Sequence, residues 1–138
     1  MRMIFGMALC LALSGSADAV ALGANCADPQ SNLEMKICTS QSLAKAESEL
    51  SAAFERALAD AQGQYESARH EPGSERMPNM PEELRKVERS WEIFRDANCG
   101  YQTLVYYGGS MAPLAVLGCR LDMTKARIKE LKDLVESK

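Results

Sequence analysis

The residues able to do chemistry are few in this chain, and their spacing does not assemble a catalytic site. His70 is the only histidine, and it borders a Pro/Gly-rich segment with no nucleophile directly beside it, whereas an activated nucleophile needs a base within reach. The acidic residues recur at the spacing of solvated helix faces rather than as a pair flanking a cleft. Gly108-Gly109 lacks the other elements of a phosphate loop. The sequence therefore predicts neither an enzyme nor a bound cofactor.

The cysteines are the most informative reactive residues. The chain has five, and Cys10 lies within an apolar N-terminal run that is expected to be removed. The remaining four form an even set, which in a short exported chain indicates disulfides. No C-x-x-C is present, and with one histidine a zinc or other metal site is not expected. Of the three possible pairings, the sequential one is favoured because it closes two short loops: Cys26–Cys38 and Cys99–Cys119.

The N-terminus has the pattern of a cleavable export signal. Arg2 precedes an apolar run over residues 4–13, and Ala17-Asp18-Ala19 fits the small-x-small rule for signal peptidase. The run is shorter than the about 20 residues that span a bilayer. Residues 1–19 are therefore predicted to be a signal peptide and residues 20–138 a single periplasmic or secreted domain, with cleavage after Gly23 or Ala24 as alternatives. Lipid anchoring is disfavoured, because neither Cys10 nor Cys26 follows a small residue.

The charge of the mature chain limits its partners. Cleavage removes one positive and one negative residue, so the net charge of −3 is unchanged. Nucleic-acid binding requires a basic face, which a mildly acidic chain does not favour. A cationic protein partner is compatible with this charge.

Apolar periodicity predicts an all-α fold. Residues 40–69 and 81–99 and a final segment ending near Glu136 carry stripes at i, i+3, i+4 and i+7. A short helix is expected around residues 33–37, with Ser31 or Asn32 as its cap. Pro81 and Pro113 suit first helical turns, with Ser110 as the cap of the last helix. Residues 101–107 are predicted to end the second helix or to form a packed connection, since a single strand has no pairing partner. The expected fold is a small bundle of three main helices and a short N-terminal one, linked by two disulfides.

Trp91, Arg95 and Cys99 follow one another at intervals of four residues and so share one helix face. We expect Trp91 to lie in the core with Leu84, Val87 and Phe94. Arg95 is then predicted to pair with a carboxylate of another helix, Glu34 or Glu47, and to make a cation–π contact with the indole. The alternative is a binding role, since Trp and Arg also anchor interfaces.

These residues belong to a pattern that resembles a known family, the LprI-type lysozyme-inhibitor N-terminal domain. The resemblance covers essentially the whole mature chain. Glu88 stands where the family commonly has glutamine, and Glu47, Ser51 and Phe54 also depart from its usual residues while keeping the helical spacing. The most specific part of the resemblance is Trp91, Phe94, Arg95, Asp96 and Cys99, followed by Cys119, Thr124 and Arg127.

The resemblance implies a small exported all-helical protein that inhibits a lysozyme. An inhibitor of this kind has to occlude a cleft lined by catalytic carboxylates, and function of this type usually lies in loops held by a rigid scaffold. Two irregular segments offer hydrogen-bond donors for such a contact: residues 74–76 with Arg76, and residues 106–110 with Tyr107 and Ser110. The rival interpretation is a structural or interaction module of the cell envelope, which contacts another envelope protein and no lysozyme.

Overall fold

The computed structural model describes residues 23–137, so the predicted signal peptide lies outside the described residues. Within this range there are four α-helices: α1 (Asn32–Ala68), α2 (Met80–Gly100), α3 (Gln102–Val105) and α4 (Ala112–Glu136). A 3₁₀ turn, Ser74–Arg76, lies between α1 and α2. The described chain contains no strand. Three main helices and the sequential disulfide pairing are confirmed.

The first helix is longer than its sequence pattern indicated. The short N-terminal helix predicted around residues 33–37 is the beginning of α1, which continues without a break for 37 residues, about 55 Å at 1.5 Å per residue. Thr39 and Ser40 are only modestly unfavourable inside a helix, so they do not interrupt it. Ser31 caps α1 as expected, because its hydroxyl accepts a hydrogen bond from the amide of Glu34 at 3.2 Å.

The core lies where α1 and α4 pack along each other. Small residues on α1, including Ala53 and Ala57, allow a close approach to Ile128 and Leu131 of α4. Helix α2 runs antiparallel to α4, since Arg95 contacts Thr124 whereas the earlier residue Glu88 contacts the later residue Arg127. Arg95 also contacts Glu47 of α1. Leu84, Trp91, Phe54, Leu121 and Val135 are partly buried around this core.

Two disulfides cross-link this arrangement of helices. Cys26–Cys38 ties the N-terminal loop to the start of α1, and Cys99–Cys119 joins the last turn of α2 to α4. A domain of this size buries a limited apolar area, and cross-links of this kind reduce the conformational freedom of its unfolded chain.

Three expectations for individual residues are wrong. Val87 and Phe94 are 52% and 59% exposed rather than in the core, because the stripe on α2 is wide and only the side containing Leu84 and Trp91 faces α1 and α4. Ser110 does not cap α4, which begins after Met111 without a side-chain cap. The segment after α2 was predicted to end that helix or to form a packed connection, but α2 ends at Gly100, residues 102–105 form the separate turn α3, and Tyr101 and Leu104 are each 63% exposed.

Candidate functional site

Two arginines surround the tryptophan of the family pattern. The guanidinium carbon of Arg95 lies 5.2 Å from the centroid of the Trp91 ring, and that of Arg127 lies 5.8 Å from it. Arg95 reaches the ring from one turn further along α2, whereas Arg127 comes from α4. Both guanidinium side chains are largely buried, with 11% and 12% exposed. Contacts of this kind contribute about 0.5–2 kcal/mol each, with larger values for less solvated pairs.

Arg95 connects all three long helices. Its Nη1 donates to the Thr124 hydroxyl of α4 at 3.1 Å, and the same atom lies 3.7 Å from a Glu47 carboxylate oxygen of α1. Its Nε donates to Asp96 at 3.1 Å. The predicted pairing with Glu47 is therefore present. Glu34, the other candidate, instead accepts a hydrogen bond from the amide of Gln30 near the start of α1.

Arg127 forms the most buried ion pair of the described chain. Its Nε and Nη2 both donate to one oxygen of Glu88, at 3.0 and 2.9 Å, and its Nη1 donates to Glu130 at 2.9 Å. The Glu88 side chain is only 9% exposed. Burial by itself lowers the pKa of Arg127, but the hydrogen bonds and charges of Glu130 and Glu88 together outweigh it and raise that pKa above its ordinary value. Arg127 is therefore a permanent cation, held against a buried carboxylate.

Glu88 is the member of this cluster that sequence reasoning missed. Its partner Arg127 lies 39 positions away, so no local spacing identifies the pair. The usable signal is its position three residues before Trp91, on the same face of α2. An aromatic ring and a carboxylate on one helix face can both contact the same cation of a neighbouring helix, as Trp91 and Glu88 both contact Arg127.

The Trp91 cluster, which we define as Trp91, Arg95, Arg127, Glu88 and Thr124, has the character of a structural site. Arg127 of α4 is paired with Glu88 of α2, and Arg95 is paired with Asp96 and with Glu47 of α1. No nucleophile and base are brought together within the cluster. Asp96 extends the cluster outward, with Nε of Arg120 at 3.5 Å. Of the residues predicted to be structural, Trp91, Arg95, Thr124 and Arg127 lie in this cluster and Asp96 borders it, whereas Phe94 lies outside it on the exposed side of α2.

The predicted binding residues lie at two separate places. Arg76 is exposed in the 3₁₀ turn before α2, whereas Tyr107 and Ser110 are exposed beyond its end. Helix α2 has 21 residues, or about 30 Å, and lies between the two segments. They therefore cannot contribute to one compact contact, and each is a separate candidate.

The segment after α2 combines exposure with an absence of charge. We call residues 101–111 the tip segment. From Ala97 to Cys119 the chain contains no acidic or basic residue, and within the tip segment the side chains of Tyr101, Leu104, Val105 and Tyr107 are 63%, 63%, 57% and 88% exposed. Contiguous exposed apolar surface of this kind usually marks an interaction site.

Local structure holds the tip segment in place. The Cys99–Cys119 disulfide links the last turn of α2 to α4 and so encloses the tip segment in a covalent loop. Gly108 adopts a left-handed conformation with φ of 73°, which turns the chain back toward α4 and is accessible to glycine without steric cost. The amide of Gly109 donates to the carbonyl of Tyr106 at 2.9 Å and closes this turn.

Within residues 23–137, no group of three or more His, Cys, Asp and Glu side chains is arranged to hold a metal ion. None of the described helices is long and apolar enough to cross a membrane.

The fold and these sites define a small, disulfide-linked, all-α domain with a buried arginine–tryptophan cluster and an uncharged exposed tip. The family model for the lysozyme inhibitor LprI matches residues 24–131, and the chain belongs to that family. It is also similar to an uncharacterized protein of Rhizobium meliloti (strain 1021), with 29% identity over 95% of this chain and 93% of that protein. No solved structure matches the chain.

Proposed function

We propose that this chain is an exported binding protein that inhibits a lysozyme, and that the tip segment makes the contact. Membership of the LprI family gives the activity its name. The observation that carries the choice of surface is the exposure of an uncharged, aromatic segment, with Tyr107 88% exposed, on a disulfide-anchored support. No catalytic role is proposed.

The concave shape of a lysozyme cleft favours an exposed segment as the contact surface. A lysozyme binds its substrate in a cleft lined by carboxylates, and an inhibitor has to reach into that concave site. An uncharged segment loses less hydration free energy on entering such a cleft than a charged one does. The hydroxyl groups of Tyr107 and Ser110 supply donors that carboxylate and carbonyl oxygens accept.

Arg76 is the weaker of the two candidates. It brings a charge that would complement a carboxylate, but its segment is polar and is closed by a 3₁₀ turn, with no disulfide beside it. A contact surface that is rigid before binding loses less conformational entropy on association. The anchored tip segment is therefore preferred.

Export and charge support the same proposal. Two disulfides are typical of proteins that fold in an oxidising compartment, which agrees with a periplasmic or secreted location after removal of residues 1–19. The mature net charge of −3 would draw the protein toward a cationic lysozyme and raise the association rate modestly. The acidic surface outside the tip segment would attract the lysozyme, and the uncharged tip segment would block its cleft, so the two contributions are compatible.

The test is a lysis assay of a Gram-positive peptidoglycan substrate by purified lysozymes, with and without the disulfide-bonded mature protein. The parent is expected to inhibit in a dose-dependent manner. The double variant Tyr107→Ala, Ser110→Ala should lose at least about tenfold in potency, which corresponds to about 1.4 kcal/mol of binding free energy. Arg76→Ala is the matched control and should inhibit like the parent, because it lies at the other end of α2.

The reverse ranking, with Arg76→Ala inactive and the tip variant active, would move the site to the 3₁₀ turn. If the parent inhibits no class of lysozyme tested, the proposal of inhibition is wrong. The cell-envelope interaction module, with another envelope protein as partner, is then the better account of the same fold.

A further inference from the structure

An open groove with a volume of about 400 Å³ lies between α1 and α2. Its walls are formed by side chains from residues 47–54 of α1 and from residues 85–95 of α2, and we call it the α1–α2 groove. The Arg95–Glu47 ion pair joins the two helices at one end, with Nη1 and the carboxylate oxygen 3.7 Å apart. From this pair the groove follows α1 for about 10 Å and α2 for about 15 Å. A cavity of this volume has the size of a small-molecule site.

The floor of the groove is apolar. Leu50 is 6% exposed and belongs to the core, and Phe54 is half-buried against that core. Ser51 lies between them on the same wall and is exposed, so its hydroxyl is accessible from the groove. Because an apolar group gains free energy by leaving water for such a floor, the groove favours a ligand with an apolar part.

Two arginines of the α2 wall have no ion-pair partner within residues 23–137. Arg85 and Arg89 are exposed and four residues apart, so they share one face of α2, and like charges at this spacing are unfavourable. Their neighbour Lys86 lies outside the groove and is paired with Glu82 at 3.2 Å and with Glu83 at 2.8 Å. The two arginines that line the groove are therefore available to an anion.

The carboxylates of the groove leave a net positive charge beside these arginines. Glu88 is held by Arg127 of α4, and Glu47 lies against Arg95. Glu92, which is exposed on the α2 wall, is the remaining acidic residue of the groove, so the two arginines exceed it by one charge. A monoanion balances that charge, whereas a dianion exceeds it. A carboxylate is a monoanion with two acceptor oxygens, which guanidinium groups bind with paired hydrogen bonds.

We propose that the α1–α2 groove binds a small organic monocarboxylate. Its carboxylate is held by Arg85 and Arg89, and its apolar chain or ring covers Leu50 and Phe54. The walls of the groove end at residue 95 of α2, before the tip segment begins. Binding in the groove is therefore independent of the proposed contact with a lysozyme, and either proposal stands without the other.

NMR titration of the ¹⁵N-labelled, disulfide-bonded mature protein with octanoate tests the proposal. Octanoate joins one carboxylate to an apolar chain, whereas acetate has only the carboxylate and octanol only the chain. Octanoate is expected to cause saturable shifts in the amides of residues 47–54 and 85–95 and none in the tip segment. It should bind at least about tenfold more tightly than either analogue, because each of them lacks one of the two contacts. Octyl phosphate, which is largely dianionic at neutral pH, should bind no more tightly than octanoate.

Two variants test the role of the arginines. The double variant Arg85→Gln, Arg89→Gln should bind octanoate at least about tenfold more weakly, with an unchanged midpoint of urea unfolding because both side chains are exposed. Lys86→Gln is the matched control: it removes a neighbouring cation of the same helix that is already paired outside the groove, and it should bind octanoate like the parent.

Each part of the proposal has an outcome that overturns it. The absence of saturable shifts up to about 10 mM octanoate, or shifts confined to the tip segment, overturns the site. Octanol that binds as tightly as octanoate, or a double variant that binds like the parent, overturns the role of the arginines. Acetate that binds as tightly as octanoate overturns the role of the apolar floor, and tighter binding of octyl phosphate overturns the choice of a carboxylate.

Discussion

Truncation of Arg127 to alanine is expected to destabilise the protein strongly, and more than truncation of Arg95, the other arginine of the Trp91 cluster. The substitution leaves Glu88, whose side chain is 9% exposed and accepts two hydrogen bonds from Arg127, as a buried carboxylate with no cation. Breaking a buried pair in this way costs about 3–5 kcal/mol. It also removes one of the two cations over the Trp91 ring.

The size of this effect makes it easy to measure. For a domain of this length, 3–5 kcal/mol corresponds to a fall in Tm of roughly 10–20 °C. The chain has one tryptophan, and it lies within the cluster. Urea unfolding followed by tryptophan fluorescence therefore reports on the site itself, with the change in midpoint at constant m giving the free energy.

Two companion variants separate charge from packing. Glu88→Gln keeps the shape and an acceptor oxygen, so it should cost only about 1–2 kcal/mol. Lys45→Ala removes an exposed partner of Glu49 and should leave the midpoint unchanged. If Arg127→Ala unfolds at the same urea concentration as the parent, the buried-pair reasoning is refuted.

Arg95→Ala should lower the free energy of unfolding by about 1–3 kcal/mol, less than the Arg127 variant does. Its carboxylate partners are half-exposed and stay hydrated, so only the buried Thr124 hydroxyl loses its donor. Urea unfolding of the two variants side by side checks this ranking. Replacing Cys99 and Cys119 together by serine should cost about 3 kcal/mol, the chain-entropy value for a separation of 20 residues, measured by the same transition. The exported protein should begin near Val20 and weigh four hydrogens less than its fully reduced form, because both disulfides are closed; intact mass and the absence of thiol labelling check this.

Much of the fold was accessible from the sequence because it depends on local signals. The helix stripes follow from periodicity, and Ser31 and Pro81 mark helix starts through short-range hydrogen bonds and backbone geometry. The disulfide pairing followed from the shortness of the two loops. In each case the residues that decide the structure are close together in the chain.

The errors arose where the outcome depends on distant residues. The position of Phe94 was misjudged because α2 carries two apolar faces, and periodicity does not tell which one meets α1 and α4. The partner of Glu88 was not identified, since Arg127 lies on another helix. The distance between the two candidate binding segments, with Arg76 before α2 and Tyr107 after it, also depends on the length of that helix.

The most direct test of the proposed function is an NMR titration of the ¹⁵N-labelled, disulfide-bonded mature protein with a lysozyme that it inhibits. The proposal predicts that backbone amide shifts change chiefly in the tip segment, residues 101–111, with little change around Arg76. Binding that shifts the amides of the 3₁₀ turn or the helix faces and leaves the tip segment unaffected would contradict it.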